Sequence, residues 1–96
     1  MLRAIINAIR DRQYLAFSYD GYLRIVQPAA VGVSIAGQAV LRCYQTQGGH
    51  VTPGHQWNLC KLSKILDLRV TGDQFTGVPP QYRRGDKGMA NIYAEL

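Results

Sequence analysis

The sequence predicts a mostly-β domain in which an N-terminal amphipathic helix precedes a small, partly open barrel of five strands. Three observations carry that expectation. Apolar residues recur at helical spacing only in the first dozen positions, alternate with a period of two from Gln13 onward, and are broken into short runs by Asp-Gly, Pro and Ala-Gly turn signals. A strongly twisted sheet of this size curls on itself and so hides its edges, with the helix capping one open end.

Leu2, Ile5, Ile6 and Ile9 fall at i, i+3, i+4 and i+7, with Arg3, Asn7 and Arg10 on the other side, which predicts a helix from Leu2 to Arg12. Leu15, Phe17 and Tyr19 then alternate with Tyr14, Ala16 and Ser18 as a half-buried strand does. Asp20-Gly21 separates this run from the strand Tyr22 to Val26, and such a pair suits the positive φ that a two-residue hairpin turn requires. Pro28 cannot donate to a ladder and is expected to end that strand. Val31, Val33 and Ile35 alternate up to Ala36-Gly37, and a return strand spans Gln38 to Gln45. Thr46 to His55, rich in Gly and Pro, reads as an exposed, mobile loop. Strand-like runs resume at Gln56 to Cys60 and Leu66 to Val70, while Lys61 to Asp67 fits a helical turn equally well. Leu62, Ile65, Leu66 and Leu68 are apolar enough to predict burial. The division expected is a helix-plus-barrel domain over residues 1–76 and a basic tail over 77–96, whose end, Met89 to Leu96, forms a helix or a strand.

Composition bounds the class. With 47% apolar and 18% charged residues the chain can bury one core, and its 96 residues leave no room for a second. Eleven Lys and Arg against six Asp and Glu give a net charge of +5, which favours polyanions. The charged start, with Arg3, Arg10, Asp11 and Arg12, is neither a signal peptide nor a membrane span, and Cys43 and Cys60 form no disulfide scaffold, so a cytoplasmic protein with no membrane partner is expected.

The order of residues resembles the WYL domain, a bacterial module with an Sm-like small barrel. The similar elements are Ala4-Ile5 and Ala8-Ile9 in the helix, Leu15-x-Phe17-x-Tyr19-x-Gly21, Arg24-x-Val26-x-Pro28, the Gly-led strand from Gly37 to Tyr44, Leu62-Ser63-Lys64-Ile65, and Thr71-Gly72-Asp73-Gln74-Phe75. The chain departs from the family where Ala39-Val40-Leu41 replaces the tripeptide of its name, where Asn58-x-Cys60 replaces arginine-x-phenylalanine, and at Lys64, which replaces an arginine. The resemblance implies a ligand-sensing or nucleic-acid-binding module of transcription regulation or phage defence. About 12 residues precede the barrel, too few for the helix-turn-helix often joined to such modules, so the chain is expected to act through another polypeptide, as a free-standing binder or as a remnant, with the free-standing binder as the leading reading.

Arg24, Arg42 and Lys64 lie on predicted strands, with Arg24 and Arg42 expected opposite the most apolar face of their own strands. Together with Tyr19 and Tyr44 as stacking rings, and Arg83 and Arg84 in the basic tail, they are the candidate contacts for a nucleotide or single-stranded nucleic acid. Trp57 reads more readily as a core anchor than as a platform. Cys43, His50, His55 and Cys60 are ligand types for zinc but match no known spacing, so no metal and no cofactor is expected. No nucleophile has a recognisable base beside it, which argues against an enzyme. The alternative is a protein-interaction or oligomerisation module, a homodimer or a regulator's partner, acting through a sheet edge and the apolar tail residues Ile92, Tyr93 and Leu96.

Overall fold

A computed structural model describes residues 1–49 and 54–96. Leu2–Asp11 form helix α1, which ends where Arg12 turns left-handed (φ 50°) and its amide N–H reaches back to the carbonyls of Ala8 and Ile9. The predicted stripe is the buried one: Ile5, Ala8 and Ile9 enter the core, and Leu2 and Ile6 pack beside them.

Six strands follow: β1 (Gln13–Tyr19), β2 (Tyr22–Val33), β3 (Ala39–Gly48), β4 (Trp57–Lys61), β5 (Leu66–Gln74) and β6 (Asn91–Glu95), with a 3-10 turn at Leu62–Lys64 between β4 and β5. All neighbours are antiparallel, in the order β4-β3-β2-β1-β5, and β6 joins β2. Among the described residues no ladder joins β4 to β5, so the sheet curls without closing. A side chain spans part of the gap, because the Lys61 amide donates to the Tyr19 hydroxyl at 3.0 Å.

Asp20 and Gly21 both adopt positive φ, 51° and 81°, and the hairpin they make pairs Tyr19 with Tyr22. Pro28 does not end its strand. β2 runs through it as one 12-residue strand because the register shifts between Pro28 and Ala30, a bulge that absorbs the missing donor. On the edge away from β3, β2 serves two neighbours: residues 22–26 pair with β1 and residues 30–33 with β6. β3 extends to Gly48, so the predicted loop begins later than Thr46, and the rest of that expectation, at residues 50–53, lies outside the described residues.

The main core gathers Leu15, Phe17, Val26, Val31, Leu41, Cys43, Cys60 and Ile65 under α1. Of the apolar group expected to be buried near β5, Ile65 is buried, Leu62 and Leu68 are half-buried against the main core, and Leu66, on the edge strand β5, is 63% exposed. A smaller cluster on the other face joins Ala30 and Val40 to Met89 and Ile92. The last residues thus form a strand, and they cover their own sheet: Leu96 donates its amide to the Ala29 carbonyl, and Ala94 and Leu96 pack on the main core. Gly32 is required where β6 crosses, because a Cβ there would collide with the Asn91 carbonyl oxygen. Among the described residues, no helix is long and apolar enough to cross a membrane.

Candidate anion-binding cleft

The side chains singled out in the sequence separate onto two faces. Hairpin register decides this for Arg24. The Asp20-Gly21 turn places Arg24 directly opposite Phe17 and Val26 opposite Leu15, and residues opposite one another share a face. Arg24 therefore points inward with Phe17, correcting the expectation that it would lie opposite the apolar face. It is 6% exposed, and its guanidinium carbon stands 5.3 Å from the centre of the Tyr19 ring. Arg42 behaves as alternation predicts, lying with Val40 and Tyr44 on the face away from the main core. Lys64 is exposed on the 3-10 turn and takes no part in either group.

What the sequence did not reveal is the chain segment that comes to lie over Arg42. Residues 81–87 fold back across β3 and β4, and with Arg42 and Trp57 they enclose an open cleft of about 430 Å³. Asp86 fixes this segment. Its carboxylate accepts from Arg42 Nε at 2.6 Å and Arg42 Nη2 at 3.2 Å, and from the Gly88 amide at 2.8 Å. The Arg42 bond holds the Asp86 carboxyl below its ordinary range, against the opposing effect of burial. The same bond raises Arg42 above its own usual value.

Trp57 is half-buried but joins neither core cluster. It meets Tyr44 edge-on at 5.4 Å, stacks on Tyr82 at 6.4 Å with 24° between the rings, and donates its indole N–H to the Pro80 carbonyl. Tyr82 in turn donates its hydroxyl to the Leu96 carbonyl, and burial, followed by the nearby Glu95 charge, pushes its phenol above the ordinary value. Arg84 pairs with Glu95 at 3.2 Å while remaining largely exposed. Arg83 and Lys87 line the cleft with no acidic partner among the described residues. The wall therefore carries four cations, Arg42, Arg83, Arg84 and Lys87, against the single carboxylate of Asp86.

Of the sequence-derived candidates, the structure brings Arg42, Arg83 and Arg84 to one cleft, with Tyr44 behind its Trp57 wall, and sets Arg24, Tyr19 and Lys64 elsewhere. Tyr82 and Lys87, which flank Arg83 and Arg84 in the basic run, line it too, and Trp57, read from the sequence as a core anchor, forms its wall. The run Tyr82-Arg83-Arg84-Gly85-Asp86-Lys87 advertised its charge, but nothing in it named a partner 44 residues earlier. For zinc, His50 lies outside the described residues, His55 is exposed while Cys43 and Cys60 are buried, and no group of three potential metal ligands occurs among the described residues.

Fold and site together define a small helix-capped, open β-sheet domain with one cationic, aromatic-walled cleft. Compared with family models, with curated proteins and with solved structures, the chain matches none.

Proposed function

We propose that the chain is a binding module, WYL-like in its helix and strand order, that recognises an anionic ligand, a nucleotide or single-stranded nucleic acid, in the cleft beside Trp57. The excess of four cations over one carboxylate along a single wall that also holds the Trp57 and Tyr82 rings carries this reading. Phosphates require fixed cations and bases require π faces, and a groove that offers both binds without base-specific contacts. Arg42 is committed to Asp86, so Arg83 and Lys87 make the first phosphate contacts, with Arg84 available at the cost of its exposed pair with Glu95. Trp57 is the only tryptophan, and its fluorescence reports occupancy directly.

Anisotropy titrations with labelled single-stranded DNA, RNA and a nucleoside triphosphate, each at two salt concentrations, test the proposal. Binding should weaken steeply with salt. Arg83→Ala combined with Lys87→Ala should weaken it about tenfold or more, whereas Lys64→Ala should not change it. Unchanged affinity in the double variant would refute the assignment to this cleft.

A second reading rests on β5, where Leu66 and Val70 are exposed and, among the described residues, no strand pairs with the edge away from β1. Such an edge suits strand addition by a protein partner or a second copy. Size-exclusion chromatography of the full chain against Leu66→Lys with Val70→Lys separates the two readings, since a concentration-dependent dimer lost in the variant supports this one. Of the apolar tail residues, Ile92 and Leu96 pack on their own domain, while Tyr93 is 43% exposed.

A further inference from the structure

The cleft is one end of a longer feature on the same face of the sheet. Leu15, Val26 and Cys43 belong to the main core, so alternation sets their neighbours Tyr14, Gln27 and Tyr44 on the opposite face. Register lines them up. Gln27 lies directly opposite Tyr44, and Tyr44 directly opposite Trp57, while on its other side Gln27 donates from Nε2 to the Tyr14 hydroxyl at 3.0 Å. With Tyr82 stacked on Trp57, four rings and one amide form a single row across β1, β2, β3 and β4 that ends in the cleft. All five residues are half-buried, and neither core cluster includes one. The two ends of the row differ in charge. The four cations stand at the Tyr82 end. At the other end Tyr14 lines a second recess, of about 550 Å³, with Thr46, Gln47 and Gln74, one carboxylate, Asp73, and no cation. Fixed cations attract phosphates, whereas hydroxyls and amides suit a base, which carries donors and acceptors but no charge. Tyr14 and Trp57 stand three strand spacings apart, roughly 14 Å, too far for one base to stack on both.

We propose, building on the binding role assigned to the cleft, that its ligand is a single-stranded nucleic acid of about four nucleotides rather than a lone nucleotide. The strand lies across the sheet, with phosphates held at the cationic end and bases stacked along the row toward Tyr14. Aromatic rings accept any base, so the row adds affinity without reading sequence. The neutral recess beside Tyr14 takes the base farthest from the cations. A lone nucleotide reaches only Trp57 and the cleft wall. Each further nucleotide therefore adds a contact until the row is filled, and growth beyond that adds little.

The experiment titrates the full chain, by Trp57 fluorescence at low salt, with oligothymidylates of one, two, four and eight nucleotides and with an abasic chain as long as the tetranucleotide. Affinity should rise about a hundredfold or more from one nucleotide to four and change little from four to eight. The abasic chain carries the same phosphates without bases, and it should bind about tenfold or more weakly than the tetranucleotide. Tyr14→Leu, which keeps an apolar side chain beside Phe75, should reduce the ratio of tetranucleotide to mononucleotide affinity about tenfold. Equal affinity at every length, an abasic chain that binds as tightly as the tetranucleotide, or an unchanged ratio in a folded Tyr14→Leu would each overturn the row. The length series and the abasic chain need no variant, so they decide the matter even if Tyr14→Leu does not fold. Arg83→Ala combined with Lys87→Ala separates the two levels: it should weaken every ligand if the cleft is the anion site, whether or not the row is used. Loss of the length dependence with that effect intact removes the row alone, and absence of that effect removes the cleft and the row together.

Discussion

Replacing Asp86 with asparagine should destabilise the fold and tighten anion binding at once, and the opposite signs make it a stringent test. The asparagine side chain is isosteric, so packing is preserved and only the charge and one strong acceptor are lost. The bond from Arg42 Nε to Asp86 is 2.6 Å and the second is 3.2 Å, so one of the two contributes most of the energy. Charge-assisted bonds contribute ~1.5–3 kcal/mol, and breaking a fully buried pair costs ~3–5 kcal/mol. Here the Asp86 side chain is 10% exposed but Arg42 is 30% exposed, so water can rehydrate the guanidinium. The expected loss is therefore about 1–2 kcal/mol, and at roughly 4–8 °C per kcal/mol for a domain of this size the melting temperature should fall by about 5–15 °C. Meanwhile the cleft loses its only carboxylate and Arg42 is released toward the ligand, so affinity for a nucleoside triphosphate should rise several-fold at low salt. Urea unfolding followed by circular dichroism measures the first effect and Trp57 fluorescence titration the second. A stability change under about 0.3 kcal/mol, or weaker ligand binding in a folded variant, would refute the reasoning.

The same pair sets an acid limit. Because Asp86 is depressed on folding, its contribution is complete above its ordinary value of 3.8 and is lost as pH falls through the lower folded value, a loss that Asp86→Asn should abolish in acid-unfolding curves. Tyr82 acts at the other extreme: its folded value is raised, so its contribution is present below 10 and is lost as pH climbs through the folded value, and Tyr82→Phe should flatten the alkaline limb of the stability curve. Gly32→Val should detach β6, since the new side chain occupies the Asn91 carbonyl position, and hydrogen exchange should show amides at residues 91–95 losing protection first. Leu41→Ala, at a fully buried position opposite Cys60, should cost about 2–5 kcal/mol, whereas Ile35→Ser, at a turn position 84% exposed, should stay within about 0.5 kcal/mol in equilibrium unfolding.

Helix α1, the first two strands and the turn between them are legible in the residue order, because each depends on neighbours a few residues apart. A 3.6-residue apolar stripe makes a helix with one buried face, and Asp20-Gly21 makes a two-residue turn whatever the rest of the chain does. Even the inward direction of Arg24 was implicit there. Counting back from Tyr19 opposite Tyr22 puts Arg24 opposite Phe17, a constraint stronger than the apolarity of Leu23 and Ile25 that suggested the other face. Pro28 misled because a local rule about donors could not anticipate the bulge, in the ladder with β3, that carries β2 past it. The cleft, by contrast, exists only through tertiary contacts. Arg42 and Asp86, Trp57 and Tyr82, and β6 and β2 meet across long sequence separations, and such pairings follow from which apolar surfaces remain uncovered once the hairpins have formed. The small second-face cluster of Ala30, Val40, Met89 and Ile92 draws the end of the chain onto the sheet. That burial carries the basic segment over Arg42 and turns a charged tail into the wall of a cleft.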